Sequence, residues 1–325
     1  MIIDFHNHYY PPEYLEELRR GSSRYRITED ADGNPVLHSP GDYNIVVPGH
    51  RDAAFRTTVL DDAGVDRQVI TFTAPGTAME TPERAVELCR IVNDALAKVV
   101  ATYPDRYATL ATLPMQDPQA ATAELLRVMD ELGLKGAMLY SNASGVALSD
   151  RRFWPLYEKA AERDAVLYIH PTYPVGVEAM TEYMLMPMVG FLMDTTLAAA
   201  SLVYSGTMER FQGIRWVLAH LGGAVPYMAE RFDRGFEAYP ECREHIRTPP
   251  SEQLSRCYYD TVNFNPDALA FTIRFAGVDR ILAGSDYPHQ IGSLAKMKSS
   301  LAAVDLSDGD RAKILGGNAA RLLGL

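Results

Sequence analysis

The sequence has few cysteines, no strongly basic run and no low-complexity tract. Its 325 residues include three cysteines, Cys89, Cys242 and Cys257, which are widely spaced and form no Cys-x-x-Cys pair. A disulfide framework and a thiolate zinc site are therefore not indicated, and a reducing cytoplasm is the expected compartment. The net charge is −11 and lysines and arginines form no cluster. Nucleic acid is therefore not an expected partner.

The sequence also lacks a long apolar stretch. It begins with no basic leader, and we find no run that approaches the ~20 apolar residues needed to span a bilayer. We therefore expect neither secretion nor membrane insertion. Hydrophobic residues make up 47% of the chain and charged residues 22%, which is typical of globular proteins. An α/β barrel commonly occupies one domain at this length, so we expect one domain over residues 1–325.

Eight short apolar runs alternate with segments of helical periodicity. This alternation predicts parallel βα units, and eight of them predict an α/β fold of the distorted (β/α)8 TIM-barrel type. The predicted strands cover residues 2–8, 66–73, 107–114, 134–141, 165–171, 214–221, 257–263 and 281–287.

Two segments are too long for ordinary connections. Residues 9–52 are rich in Pro, Gly, Tyr and charge, which predicts a cap insertion after the first strand. Residues 171–194, here called the methionine segment, carry five methionines. Because methionine-rich apolar surfaces adapt to different contacts, this segment is expected either to contact a ligand or to pack against a neighbouring subunit.

Metal-capable side chains stand at the ends of four predicted strands. They are His6, His8, His170, His220 and Asp286. In the first strand a period of two predicts Asp4, His6 and His8 on one face, where two imidazoles can bind one ion. Barrel active sites lie at the carboxyl ends of the strands, so the five side chains are expected to converge.

These motifs fall in the order found in the amidohydrolase superfamily. They read Asp4-Phe-His-Asn-His8, Tyr168-Ile-His-Pro171, Ala219-His-Leu-Gly-Gly223, Gly284-Ser-Asp-Tyr-Pro288 and Gly317-Asn-Ala-Ala-Arg-Leu-Leu-Gly-Leu325. The chain resembles the subgroup that includes 2-amino-3-carboxymuconate-6-semialdehyde decarboxylase and aromatic acid decarboxylases. The resemblance implies a homodimer in which His6, His8, His170 and Asp286 bind metal. It also implies that His220 is the acid/base that orients or deprotonates the metal-bound water.

The ligand set favours one divalent ion. Three neutral imidazoles and one carboxylate leave room for water, and bound Zn²⁺ lowers the pKa of that water toward ~7. The fourth predicted strand ends in Leu139-Tyr140-Ser141, so a carboxylated lysine that bridges two metals has no candidate there. Zn²⁺ is favoured over Mn²⁺ because imidazole outnumbers carboxylate.

Several residues outside this set are candidates for substrate binding. Arg51 and Arg56 follow the cap, where each could bind a substrate carboxylate or remain a solvated surface charge. His289, three residues after Asp286, is expected either to contact the substrate or to lie at the rim of the site. His50 lacks the strand-end context and is expected to be exposed.

The resemblance also limits the substrate. Two arginines bind the carboxylates in the muconate semialdehyde decarboxylases, and Asn44 and Tyr239 stand at the aligned positions here. A dicarboxylated substrate is therefore disfavoured, and Tyr239 becomes a candidate substrate contact.

The leading hypothesis is non-oxidative decarboxylation of a small aromatic or unsaturated carboxylic acid, with His220 or Asp286 as the proton donor. The alternatives are a hydrolase that directs metal-bound hydroxide at an amide, lactone or C–C bond, and a hydratase. A catalytically silent binding protein would require a lost ligand, and none is missing. Because one fold supports many reactions, the choice of decarboxylase rests on the resemblance.

Overall fold

The computed structural model describes residues 1–21, 25–39 and 41–325. Residues 22–24 and 40 of the predicted cap lie outside the described residues. The strands are β1 (Ile3–Asp4), β2 (Arg26–Glu29), β3 (Pro35–Ser39), β4 (Asp42–Ile45), β5 (Arg67–Ile70), β6 (Tyr107–Thr109), β7 (Ala111–Thr112), β8 (Gly136–Tyr140), β9 (Asn142–Ala143), β10 (Val146–Ala147), β11 (Val166–His170), β12 (Arg215–Leu218), β13 (Tyr258–Asp260) and β14 (Ile281–Leu282).

Helices follow most of these strands in the chain. They are α1 (Pro12–Arg20), α2 (Pro48–Arg51), α3 (Ala53–Ala63), α4 (Pro82–Thr102), α5 (Pro118–Asp130), α6 (Trp154–Ala161), α7 (Phe191–Tyr204), α8 (Thr207–Arg210), α9 (Val225–Ala238), α10 (Pro250–Leu254), α11 (Pro266–Ala276), α12 (Leu294–Ala302), α13 (Asp308–Ala312) and α14 (Asn318–Leu323). Helix α4 begins directly after Thr81, whose side chain accepts a hydrogen bond from Arg84 N.

The parallel strands surround the centre of the molecule. One sheet has the order β1-β5-β6 and a second has the order β7-β8-β11-β12-β13-β14. The two sheets are joined because β6 and β7 are separated only by Leu110. The ring closes where β1 meets the segment around β14: Phe5 N donates to Ala283 O at 2.7 Å, and Asp286 N donates to His6 O at 2.8 Å. The predicted (β/α)8 barrel is thus confirmed, with all eight strands shorter than predicted.

Buried side chains fill the inside of this barrel. Phe5, Val166, Tyr168 and Val217 belong to one buried cluster, to which helix α14 near the C-terminus contributes Leu322. A larger buried cluster includes helix residues of the outer layer. The barrel is therefore a packed scaffold, and the open space lies above the carboxyl ends of its strands.

The cap is more regular than the sequence suggested. Helix α1 is followed by a small antiparallel sheet in the order β2-β3-β4, and helix α2 leads back toward the barrel. Asp30 Oδ1 accepts a hydrogen bond from Asn34 N at 2.7 Å and fixes the turn between β2 and β3. Helix α3, which Asp52 caps, was also not predicted. Strands of four or five residues with mixed exposure give a weak periodic signal, and so does a helix that buries only Arg56 and Leu60.

One prediction about apolar stretches was wrong. Within the described residues the helical stretch Met186–Tyr204 is 19 residues long, with a mean hydropathy of 1.4, and could cross a membrane by length and composition alone. Asp194 interrupts it, and half of the stretch is buried inside the fold. Because the core helices of barrels share these properties, the stretch is weak evidence for a membrane span.

Candidate metal centre and substrate cavity

The first strand delivers two histidines to one point because its backbone bends at His6. His6 and His8 lie side by side, with their Nε2 atoms 3.1 Å apart. The expectation that Asp4 shares their face was wrong. Its carboxylate instead accepts hydrogen bonds from Gln68 Nε2 at 2.7 Å and Ser285 Oγ at 2.6 Å.

The other predicted ligands reach the same point from the end of β11 and from the segment after β14. Asp286 Oδ1 lies 3.0 Å from His8 Nε2 and 3.5 Å from His6 Nε2. The ligand atoms of His6, His8 and His170 all lie within 4.8 Å of one another. The structure therefore brings together the four residues that the sequence indicated, from the ends of β1, β11 and β14.

The donor set fits a divalent cation. The Nδ1 of His170 lies 2.9 Å from Pro171 O, which can only accept, so Nδ1 carries the proton and Nε2 carries a lone pair. That Nε2 is buried and has no hydrogen-bond partner among the described residues. A buried unpaired nitrogen costs free energy, and a metal ion is the ligand that would remove this cost.

Asp260 fixes the orientation of His6. Its Oδ2 lies 2.7 Å from His6 Nδ1 and accepts a hydrogen bond from Tyr168 Oη, also at 2.7 Å. The backbone N–H groups of His220 and Val262 donate to the same carboxylate. This contact turns the Nε2 of His6 toward His8 and Asp286, which is the usual role of a carboxylate behind a metal-binding histidine.

The titration behaviour of the cluster reflects these contacts. Burial alone would lower the pKa of His6, but the carboxylates of Asp260 and Asp286 outweigh it and raise this pKa to about 10. Burial, together with His8 and His6, holds the pKa of His170 well below its usual range. Burial opposes ionisation of Asp286, but hydrogen bonds from His6 and His8 keep its pKa well below the usual range. Asp286 is therefore anionic and His170 neutral, as metal binding requires, whereas His6 has to lose its proton when a metal binds.

His220 lies beside the four candidate ligands. Its ring centroid is 4.8 Å from that of His6 and 5.4 Å from that of His170. Burial and the neighbouring His6 lower the pKa of His220 to about 4. Its Nδ1 is buried and without a hydrogen-bond partner in the described part of the chain. His220 is therefore neutral near pH 7 and able to accept a proton.

The backbone is strained at two of these positions. His220 and Asp286 have φ angles of +55° and +59°, in the left-handed region that non-glycine residues rarely adopt. Each such residue costs on the order of 1–3 kcal/mol, and this kind of strain is concentrated at functional sites. Gly284 allows its backbone to lie close to His6, because a Cβ at this position would come within 2.7 Å of His6 Cβ.

A cavity of about 510 Å³ opens above the cluster. We call His6, His8, His170, His220 and Asp286 the barrel floor. The cap-side wall consists of Asp42, Tyr43, Asn44 and Ile45 of β4, together with His50. The methionine segment contributes Tyr183, Met184, Pro187, Met188, Phe191 and Leu192. Barrel-end loops supply Thr73, Ala74, Val262, Asn263, Phe264, His289, Gln290 and Ile291.

The lining of the cavity is largely apolar and contains no cation. Among the lining residues in the described chain, no lysine or arginine is present. The methionine segment thus contributes to the cavity, in agreement with its ligand interpretation. Its packing against a neighbouring subunit stays a prediction.

The structure does not place Arg51 or Tyr239 at the cavity. Arg51 donates to Val46 O and approaches Asn34 Oδ1 on the outer side of the cap. Tyr239 is 61% exposed directly after α9 and is not among the cavity-lining residues. Their proposed substrate contacts are therefore not supported within one chain.

Arg56 is a buried structural residue and not a substrate clamp. It is fully buried and donates to Gln68 Oε1 and His8 O, both at 2.6 Å, and to Asn7 Oδ1 at 2.8 Å. Its guanidinium also donates to Gly49 O of the cap. Arg56 therefore ties the cap to the strand that carries the two histidines.

Two further histidines stand beside the floor. His289 lines the cavity, and its ring centroid lies 4.5 Å from that of His8. His50 was expected to be exposed, but it is 1% exposed, and its Nε2 lies 3.3 Å from His289 Nδ1. It was missed because helix α2 folds back from the cap, which no local sequence pattern reveals.

Asp260 was not predicted from the sequence, although a signal was present. It ends β13, the seventh barrel strand, as an aspartate after two buried tyrosines. The rule that identified His170 and Asp286, a polar residue at the end of an apolar strand, also applies to it.

Comparisons with known proteins agree with this geometry. A family model described as amidohydrolase matches residues 3–325. The 2-amino-3-carboxymuconate-6-semialdehyde decarboxylase of Dictyostelium discoideum is 33% identical over 245 residues, which cover 75% of this chain and 68% of that protein. The structure resembles 5-carboxyvanillate decarboxylase from Sphingomonas paucimobilis, with a TM-score of 0.87 and 25% identity, covering 100% of this chain and 99% of that one.

A third relative has a metal in its structure. It is a dihydroxybenzoic acid decarboxylase from Polaromonas with bound manganese and the inhibitor 2-nitroresorcinol. The TM-score is 0.82 and the identity 25%, and the match covers 99% of this chain and 96% of that one. The similar proteins named here are therefore all decarboxylases.

Proposed function

The chain belongs to the amidohydrolase family, and from this we propose that it is a metal-dependent, non-oxidative decarboxylase of a small aromatic carboxylic acid. One observation carries the proposal. Four side chains present a carboxylate and imidazole nitrogens to one buried point, directly beneath an apolar cavity that has no lysine or arginine among its described lining residues.

This arrangement indicates where a substrate carboxylate would bind. With no cationic side chain among the cavity residues described above, the positive charge that an acid requires has to come from the barrel floor. A divalent ion held by His6, His8, His170 and Asp286 would supply that charge to the carboxylate and an adjacent oxygen. The apolar walls then surround the ring and exclude water from it.

The reaction replaces a carboxylate by a proton. The bond between the ring carbon and the carboxyl carbon breaks, CO₂ leaves, and the ring carbon takes up H⁺. His220 is neutral near pH 7, because burial lowers its pKa to about 4. We therefore assign it first as a base that takes a proton from a substrate hydroxyl or from water, and then as the donor to carbon. Asp286 is less suited to donate, because its pKa is held well below the usual range.

The identity of the metal is part of the proposal. Three imidazoles and one carboxylate favour Zn²⁺ by ligand type, whereas the related dihydroxybenzoic acid decarboxylase contains manganese. We propose Zn²⁺, with Mn²⁺ as the alternative. Metal-free protein reloaded with each ion separately, and assayed at equal occupancy, distinguishes them.

We also propose a homodimer. Six apolar residues between positions 183 and 197 expose more than a third of their surface: Tyr183, Leu185, Met188, Val189, Met193 and Leu197. An exposed apolar patch of this kind is common at subunit interfaces. Light scattering coupled to size exclusion measures the mass directly, and a monomer at micromolar concentration would contradict the proposal.

The activity is tested with carboxyl-labelled hydroxybenzoates. We expect labelled CO₂ from the metal-loaded enzyme, and in D₂O one deuterium at the carbon that lost the carboxylate. His6→Ala should release none, whereas His245→Ala, at a residue far from the cavity lining, should behave as the native enzyme. Hydrolysis of amides or lactones without CO₂ release would overturn the proposal in favour of a hydrolase.

A further inference from the structure

The cavity contains one carboxylate that the proposed reaction does not use. Asp42 lies on β4, in the cap-side wall, and lines the same cavity as His170, His220 and Asp286. Its Oδ1 accepts a hydrogen bond from Tyr43 N at 2.7 Å. Its second carboxylate oxygen has no hydrogen-bond donor, and the side chain has no cationic partner, within the described chain.

This carboxylate is half-buried and is ionised at neutral pH. Burial raises the pKa of Asp42 to about 6, which still leaves it anionic at neutral pH. The hydroxyl of Tyr10 does not donate a hydrogen bond to Asp42, because it donates to Ala74 O. An anion held in an apolar cavity without a partner is costly to the fold, and such a cost is most often found where a ligand supplies the missing donor.

The rest of the cavity restricts what that ligand can be. With no lysine or arginine among the described lining residues, a second substrate carboxylate would meet Asp42 or the apolar side chains without compensation. Asn44 Nδ2 already lies within hydrogen-bond distance of Ala74 O. The cap-side wall thus offers a negative acceptor and repels a second anion.

We propose that Asp42 determines substrate specificity by accepting a hydrogen bond from a hydroxyl or amino group on the ring of a monocarboxylic aromatic acid. The inference rests on the proposed function, because it takes the carboxylate of the acid to lie at the barrel floor. The substrate class is thereby narrowed to aromatic monoacids that carry a ring donor facing the cap. Dicarboxylic acids are rejected by the same residue.

Binding to the metal-loaded enzyme tests this directly. The probes are 2-hydroxybenzoate and its derivatives with a hydroxyl, amino or methoxy group at position 4 or 5, and dissociation constants are measured by calorimetry. A methoxy group keeps the ring oxygen but removes the donor. We expect at least one benzoate with a hydroxyl or amino group to bind about 10-fold or more tightly than its methoxy counterpart, as is usual for a hydrogen bond to a charged acceptor.

The variant Asp42→Asn should reduce that preference to within about 3-fold, because the amide keeps the acceptor for Tyr43 N but loses the charge. Binding of the methoxy acids should be unchanged, and thermal unfolding should confirm that the variant is folded. The matched control is Asp32→Asn, the same substitution at an exposed position of the cap outside the cavity lining. It should keep the native preference.

The outcomes separate this inference from the function on which it rests. A preference that survives in Asp42→Asn, the absence of any preference in the native enzyme, or an equal loss of affinity for all acids overturns the role of Asp42. In each of these cases the native enzyme still binds acids and releases CO₂, so the proposed function stands. If no aromatic acid binds or loses CO₂, the proposed function fails and this inference fails with it.

Discussion

The barrel floor and the cap-side wall enclose one cavity, but their side chains are held in different ways. On the floor, His6 and His8 are completely buried, and Asp260 and Asp286 fix their rings through contacts of 2.7–3.0 Å. In the cap-side wall Tyr43 is 42% exposed, and Tyr183 of the methionine segment, which also lines the cavity, is 85% exposed. The floor is therefore preorganised for one chemistry, whereas the cap side is free to differ between substrates.

We infer that the barrel floor performs the chemistry and that the cap side selects the substrate acid. If it is correct, substitutions on the floor should abolish metal binding and turnover, and substitutions on the cap side should change the choice of acid.

Loss of one candidate ligand should have the largest effect. In His170→Ala the site loses a nitrogen that has no other partner in the described structure, so we expect bound metal to fall below a tenth of an equivalent. CO₂ release should fall by at least about 10³-fold, the scale of a missing catalytic group. Metal analysis and the CO₂ assay measure both, with His245→Ala as control. Full activity in a metal-free variant would contradict the division between floor and cap.

The connection between the two regions can be broken at Arg56. Replacement by Met leaves Gln68 Oε1, Asn7 Oδ1 and several buried carbonyl groups without their donor and removes the positive charge near Asp4, so we expect a loss of about 3–5 kcal/mol in the free energy of unfolding. Urea denaturation measures it. Arg90→Met, at a side chain that is 62% exposed, should cost less than about 1 kcal/mol. Equal effects would show that Arg56 is not the link between cap and first strand.

Asp260→Asn should weaken metal binding at the barrel floor without removing a ligand. Because Asp260 holds the ring of His6, we expect the affinity for metal to fall about 10–100-fold, as is usual for the group behind a ligand. Excess metal should restore much of the activity, whereas it should not restore His170→Ala. Tyr168→Phe, which removes only one hydrogen bond to Asp260, should have a smaller effect of the same kind. Competition with a chelator measures both affinities.

A substitution in the methionine segment should change substrate affinity and little else. Phe191 lines the cavity, and its ring centroid lies 6.4 Å from that of His170. Its truncation to Ala removes apolar contact worth about 1–2 kcal/mol, so we expect KM to rise about 10-fold and kcat to change less than about 3-fold. Phe271→Ala, outside the cavity lining and 41% exposed, is the control. A fall in kcat comparable to that of the floor variants would contradict the assignment of turnover to the barrel floor alone.

The smallest effect concerns pH. Because the pKa of Asp42 is raised to about 6, the preference for acids with a ring hydroxyl should be weak below this pH and strong above it. The phenols of Tyr10 and Tyr173 face the same carboxylate, and burial raises their pKa values, so they stay neutral throughout. Calorimetry with matched hydroxyl and methoxy acids measures the ratio, which should be independent of pH in Asp42→Asn.

The sequence was most informative about the floor. Strand ends carry His170, His220 and Asp286 within apolar runs, and parallel strands bring their ends together, so a local pattern was sufficient. The separation of Asp4 from the two histidines was not predictable, because its partners Gln68 and Ser285 lie 64 and 281 positions away in the sequence.

The cap side was poorly predicted for a physical reason. Arg51 and His50 are neighbours in the chain, yet His50 is buried in the cavity while Arg51 donates to Val46 O outside it. Which of the two reaches the site depends on how helix α2 packs, and this is set by contacts with Tyr10 and His289 distant in sequence. Periodicity within the cap carries no information about those contacts.

The closure of the barrel also determines when the site can exist. His8 and Asp286 are 278 positions apart, and the hydrogen bonds that join their strands close the ring. While the chain is being synthesised, its first two histidines leave the ribosome long before their carboxylate partner. A complete four-residue site therefore cannot form during synthesis until the eighth strand has emerged. Binding of the metal then indicates that the barrel has folded completely.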